Sequence, residues 1–324
     1  MNIKTTYVIP GLIAMAVTVI SCAKELLQPQ NNITFNTRLS DYHLFKGVQA
    51  DLVPADGFME YTLPTALFTD YAEKQRLIKI PAGTRLLYNG DGLPVFPDGT
   101  ILAKTFYYFN DANNLFLGKR ITETRLLIFN VGKWNVATYI WNVSQTDATL
   151  EESGTVLPVS WKNDAGKTMN IHYRVPNMRE CATCHNSNDE VVPIGFKLRN
   201  LNTSVIKNGT PVNQLYLMMQ AGLLDPFDPS TIIGMVNWQD NNKPLDKRAR
   251  AYLDINCAHC HNPTGFASSE KLNLDYAIPL EHTRIAKRKE SISKKMEAGE
   301  MPKLGITIVD EKALLLIKEY LKTL

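Results

Sequence analysis

The feature that most constrains this chain is a pair of short cysteine motifs, CATCH at 181–185 and CAHCH at 257–261. Together they hold all but one of its five cysteines. Exported proteins usually spend cysteine on disulfides. Here each pair is spaced i, i+3 and followed at once by histidine. On a helical turn the positions i, i+3 and i+4 fall on one face. Each motif therefore presents two thiols and an imidazole in a common direction.

That pattern points to a particular chemistry. Two thiols so placed can add to the two vinyl groups of one haem, and the histidine then serves as the proximal iron ligand. The expectation is two covalently bound haem c groups. One would be held by Cys181 and Cys184 with His185 on the iron, the other by Cys257 and Cys260 with His261. Three other uses compete. A zinc shared by both pairs has no need of a histidine after each. A redox-active pair calls for a thioredoxin-like βαβ pattern, which surrounds neither motif. Disulfides between the pairs stay open in an oxidising compartment. His259 sits at i+2 of the second motif, off the shared face, and reads as a spacer.

The start of the chain bears on the compartment. MNIKTTYVIPGLIAMAVTVISC places one lysine before an apolar run at 7–20, then Ser21 and Cys22, the form of an export signal. Val19-Ile20-Ser21-Cys22 resembles a bacterial lipobox, which implies cleavage before Cys22 and a lipid anchor on its thiol. A plain secretory signal with a chance cysteine is the alternative. Residues 1–21 are thus expected as a lipoprotein signal peptide and 22–38 as a polar tether. The expected location is the cell envelope, anchored to a membrane and facing the periplasm or the outside. A net charge of only +3 argues against nucleic acid as a partner.

From 39 to 175 the chain reads as β-rich. The runs at 76–80, 100–109, 124–129, 134–143, 155–161 and 169–175 are full of β-branched and aromatic residues. Asn89-Gly90-Asp91-Gly92, Pro97-Asp98-Gly99, Val131-Gly132-Lys133 and Asp164-Ala165-Gly166 punctuate them as turns. Beyond the first motif the spacing turns helical at 213–224, 243–256 and 310–324, with Asp310 as an N-cap. The expected class is α+β: an antiparallel β-rich domain at 39–175, a first haem-binding segment at 176–242, and a mainly helical domain at 243–324.

The last segment, ordered helix, CxxCH, irregular stretch, Met-Pro, helix, resembles a small class I cytochrome c. The resemblance implies a methionine as sixth iron ligand before the last helix, and Met301 in GEMPKLG holds that place, with Met296 as competitor. More widely, LSDYHLF, TALFTDYAEKQRLIKIPAGT, FPDGTILAKTFYY, ETRLLIF, YIWNVSQTDATL, YRVPN before CATCH, VPIG and RARAYLDINCAHCHNP are similar to a bacterial family of di-haem c-type cytochromes with unassigned roles. That resemblance covers nearly the whole chain after the tether. It implies haem content and export, and supplies no substrate.

The first haem has no clear sixth ligand. Met169, Met178, Met218, Met219, Met235, His43, His172 and His282 are all candidates, and packing accounts for most of them. FPDGT followed by CxxCH is also similar to β-sheet cytochromes whose haem is cross-linked to lysine. That likeness singles out Lys104, which strand alternation alone reads as an outward side chain. Two functions follow: an exported electron carrier, or a di-haem redox enzyme with an open five-coordinate iron at His185, peroxidase-like or acting on nitrogen oxides. Whether it is an enzyme stays undecided; a β-domain binding module with attached cytochrome is the blander case. Basic residues from Arg284 to Lys303 would suit an acidic redox partner, or form a solvated helix face. No nucleophile elbow or Walker-type phosphate loop is present.

Overall fold

A computed structural model describes residues 31–324; the leader and Cys22 lie outside the described residues. The aromatic and β-branched runs form a six-stranded antiparallel sheet whose strands follow one another in chain order. They are β1 (Met59–Glu60), β2 (Glu73–Lys79), β3 (Ile101–Phe109), β4 (Lys119–Asn130), β5 (Lys133–Trp141) and β6 (Ala148–Leu150). β4 and β5 join through Val131 and Gly132, both at positive φ, the backbone a two-residue hairpin loop requires. A second hairpin, β7 (Thr155–Lys162) with β8 (Thr168–Val175), leads into α1 (Met178–Cys184).

Alternation gives the main sheet two faces of different character. Leu77, Ala103, Leu126, Ala137 and Tyr139 point to one side and are covered by Leu39, Leu44, Phe45, Leu52 and Phe58. The opposite face is split in two. At one end Ile78, Leu102 and Leu127 pack against Phe196, Leu198, Leu201, Leu215 and Met218. At the other, Phe106 and Tyr108 pack against Val159, Trp161, Ile171 and Tyr173 of the β7–β8 hairpin. Between the two apolar clusters runs a polar row, Arg76, Lys104, Arg125 and Thr138, directly abreast on β2 to β5.

After α1 come two short hairpins, β9 (Asn186–Ser187) with β10 (Glu190–Val191) and β11 (Ser204–Lys207) with β12 (Thr210–Asn213). Between them lies α2 (Leu198–Leu201), and α3 (Gln214–Gln220) follows. The remaining helices are α4 (Leu245–Asn256), α5 (Leu280–Thr283), α6 (Ile285–Glu297) and α7 (Glu311–Lys322). Tyr252 and Leu253 of α4, Met296 of α6, and Ile317 and Tyr320 of α7 share one core, against which Cys257 is partly buried. The chain is thus mixed α+β with an antiparallel sheet.

Two local findings differ from the sequence reading. The stretch 31–38, expected as tether, lies along the sheet: Asn31 exchanges hydrogen bonds with the Val136 backbone, and Leu150 N–H donates to Thr37 O. Its asparagines satisfy backbone groups near the sheet edge, which a polar composition alone does not reveal. The segment 176–242 does not keep to itself either, since Leu198, Leu201, Leu215 and Met218 complete the sheet's own core. Among the described residues no helix is long and apolar enough to cross a membrane.

Candidate functional site

The first motif is set by a capping box. Asn177 accepts a hydrogen bond from Glu180 N–H at 3.0 Å, and the Glu180 carboxylate accepts from Asn177 N–H at 3.1 Å. Arg174 pairs with the same carboxylate. α1 then runs to Cys184, and His185 N–H donates to Cys181 O at 3.0 Å. The second motif begins where α4 ends, and His261 N–H donates to Cys257 O at 2.9 Å. Each motif thus closes one i→i+4 backbone turn from its first cysteine to its histidine. All four cysteines are free thiols.

Their surroundings differ. His185 is half-buried and donates its Nδ1–H to Val192 O at 2.7 Å, leaving Nε2 as the open ring nitrogen. Burial, reinforced by the charge of Lys104, pushes its pKa down to about 3, so the ring is neutral. Burial also lowers His261, and its Nδ1 has no hydrogen-bond partner among the described residues. Burial lifts Cys181, and lifts Cys257 to about 12, so both are protonated thiols as the chain stands. Gly265 packs hard against the second motif: an added Cβ would lie 2.5 Å from Cys260 O and 2.8 Å from His259 O.

The two motifs meet. Cys184, Cys260 and His259 place their sulfur and ring-nitrogen atoms within 4.8 Å of one another. The loops beyond them are tied by Asn188 N–H to Thr264 O at 3.1 Å and by Ser187 Oγ with Thr264 Oγ1 at 3.0 Å. His259, read from spacing as a bystander, faces the cysteine of the other motif. An i+2 position points off its own motif's face, and here that direction leads to the first motif.

Two clefts adjoin His185. One, about 450 Å³, is lined by Arg125, Thr138, Met178 and Cys181. The other, about 590 Å³, is lined by Arg76, Leu102, Lys104, Arg125, Leu127 and Phe196. Lys104, expected to face outward, therefore points into the protein. Burial, with Arg76 and Arg125 as neighbours, holds its pKa well below the usual lysine range. Arg125 is held by Glu123 through hydrogen bonds of 2.8 and 2.6 Å, and the Tyr173 hydroxyl donates to the same carboxylate at 2.6 Å. Arg76, Arg125 and Glu123 were missed in the sequence. Each stands among other charges on its strand, and the register that lines them up is not local.

Met301 lies half-buried in the loop between α6 and α7, while Met296 is buried in the helical core. That loop is fixed to the β-rich part by Asp70, whose carboxylate accepts from Thr307 N–H at 2.8 Å, Thr307 Oγ1 at 2.7 Å and Ile308 N–H at 3.2 Å. Met218 is buried and packs in the core, whereas His43, His172 and His282 are at the surface. On α6, Lys287, Arg288, Lys294 and Lys295 are exposed, with Arg288 near Glu270 at 3.7 Å and Lys295 near Glu300 at 3.2 Å. No family model, curated protein or solved structure matches this chain.

Proposed function

We propose that this chain is an exported, lipid-tethered di-haem c-type cytochrome that transfers electrons outside the cytoplasm. The observation that carries the reading is the CxxCH pattern found twice, each copy closing an i→i+4 backbone turn from its first cysteine to its histidine. The residues fit such a group. The thiols are unpaired, and the His185 Nδ1–H is engaged by a backbone carbonyl in the way that orients a metal-ligating imidazole. Cys181, Cys184, Cys257 and Cys260 would hold the haems, with His185 and His261 on the irons and Met301 as the distal ligand of the second. Bound haem supplies a one-electron iron couple.

The chain's own contribution is placement. Cys184 and Cys260 bring the two attachment points side by side, which suits relay from one centre to the next. Residues 243–324, with helices on either side of the second motif, are proposed as the class I cytochrome c-like unit. The exposed cations of α6 would steer an acidic redox partner, and that encounter weakens as salt rises. Cys22, outside the described residues, would carry the lipid.

The test is the intact mass and reduced pyridine spectrum of protein made in a host that matures c-type cytochromes. Two haems per chain are expected, falling to one in Cys181→Ala/Cys184→Ala and in Cys257→Ala/Cys260→Ala. A polypeptide-only mass with four free thiols sinks the reading, and the Cys184–His259–Cys260 group would then be assayed for zinc. A second reading, an enzyme with an open iron at His185, is favoured by the solvent-open cleft beside that residue. Electron paramagnetic resonance separates the two. Two low-spin ferric signals support the carrier, and one high-spin signal supports the enzyme.

A further inference from the structure

We propose that Arg76, Lys104 and Arg125 form a binding site for a carboxylate with an apolar body, seated in the cleft against Leu102, Leu127 and Phe196. This goes beyond electron transfer, because it rests on charges the chain itself carries. The register sets Arg76, Lys104 and Arg125 directly opposite one another on three adjacent strands. Like charges abreast on one sheet face repel, and burial sharpens the repulsion. Lys74, one step along the same face, adds a fourth cation.

Compensation inside the chain is incomplete. Glu123 is committed to Arg125 and to the Tyr173 hydroxyl. Arg76 is only 8% exposed, yet among the described residues no carboxylate lies within ion-pair distance of it. The one hydrogen bond of its guanidinium is a long one, 3.4 Å, to Lys74 O. The Lys104 ammonium has no hydrogen bond to any described residue and lies over the Phe106 ring at 5.2 Å. A buried guanidinium without a counter-charge is costly enough that an anion is the expected partner. Burial first, and the charge of Arg76 second, depress both Lys104 and Lys74.

The walls specify the rest of the ligand. Arg76, Lys104 and Arg125 line the cleft of about 590 Å³ together with Leu102, Leu127 and Phe196, so charge and apolar surface meet there. A guanidinium offers paired donors that match a carboxylate. A carboxylate can come from two sources: the propionates of a haem attached at Cys181 and Cys184, or a free organic acid entering from solution.

The experiment uses the full mature chain as purified, its mass recorded first so that any attached haem is counted independently. Benzoate is the probe and benzamide the uncharged control, both followed by calorimetry. If the site takes a free acid, benzoate binds, benzamide does not, and Arg76→Gln weakens benzoate by about tenfold or more. If haem propionates fill it, benzoate does not bind the haem-loaded chain, and Arg76→Gln lowers the midpoint potential of the first haem. Lys104→Met is the second variant, matched in length. It gives the same pattern, and in chain free of haem and benzoate it raises the melting temperature by relieving the repulsion. The proposal is overturned if benzoate and benzamide behave alike and neither variant moves potential or melting temperature. A chain without haem that still distinguishes benzoate from benzamide keeps this site while the cytochrome reading fails.

Discussion

Glu123 has no exposed surface, and three hydrogen bonds converge on its carboxylate from Arg125 and Tyr173. Removing one partner of a buried ion pair strands the other. Glu123→Gln is therefore expected to cost about 3 kcal/mol in denaturant unfolding; a loss below about 1 kcal/mol would mean that Arg125 finds its compensation elsewhere. Lys74 gives a prediction in pH. Burial, then Arg76, pushes it down to about 7 from the usual 10.5. Between those values the unfolded chain holds a proton that the folded chain has released, so stability rises with pH across that window. Lys74→Met should flatten that rise, and thermal melts from pH 7 to 10 read it directly.

Elements depend on short-range signals, and these were largely legible. Asp310 caps α7, accepting from Ala313 N–H at 3.1 Å, as its position before an apolar helical run announced. The α1 cap is as local: Asn177→Ala should destabilise by about 1 kcal/mol and loosen the turn that carries Cys181 and Cys184. Hydrogen exchange over residues 178–185 checks this, and unchanged protection would argue against the cap. The strands were readable for the same reason, since aromatic and β-branched runs declare themselves within a few residues. Lys104 was not. Alternation tells that Leu102, Lys104 and Phe106 share a face, but not that His185 and the 193–196 stretch close over it. The cationic row exists only once three strands take their register.

At the scale of the whole molecule, Asp70 fastens two parts of the chain that lie far apart in sequence. Asp70 and Tyr71 both adopt positive φ, a turn that aims the carboxylate at Thr307 and Ile308, and the Tyr108 hydroxyl donates to Asp70 O at 3.0 Å. A bulky residue at positive φ is strained, and such strain persists where surrounding contacts enforce it. Asp70→Ala should cost about 2 kcal/mol and raise exchange at residues 301–310 ahead of the helical core. Exchange that rises uniformly across the chain would show that the contact stabilises the fold without fastening that loop.

On the di-haem reading proposed above, the meeting of the two motifs sets an order of events during biogenesis. Once folded, Cys184 and Cys260 lie within 4.8 Å, each in the reach of the other's sulfur. In an oxidising compartment a chain that folds with both thiols bare has a ready route to a cross-link between the motifs. Such a link would tie up one sulfur from each pair. The close approach therefore rewards modification of the extended chain, before its halves come together, and makes folding the step that has to wait.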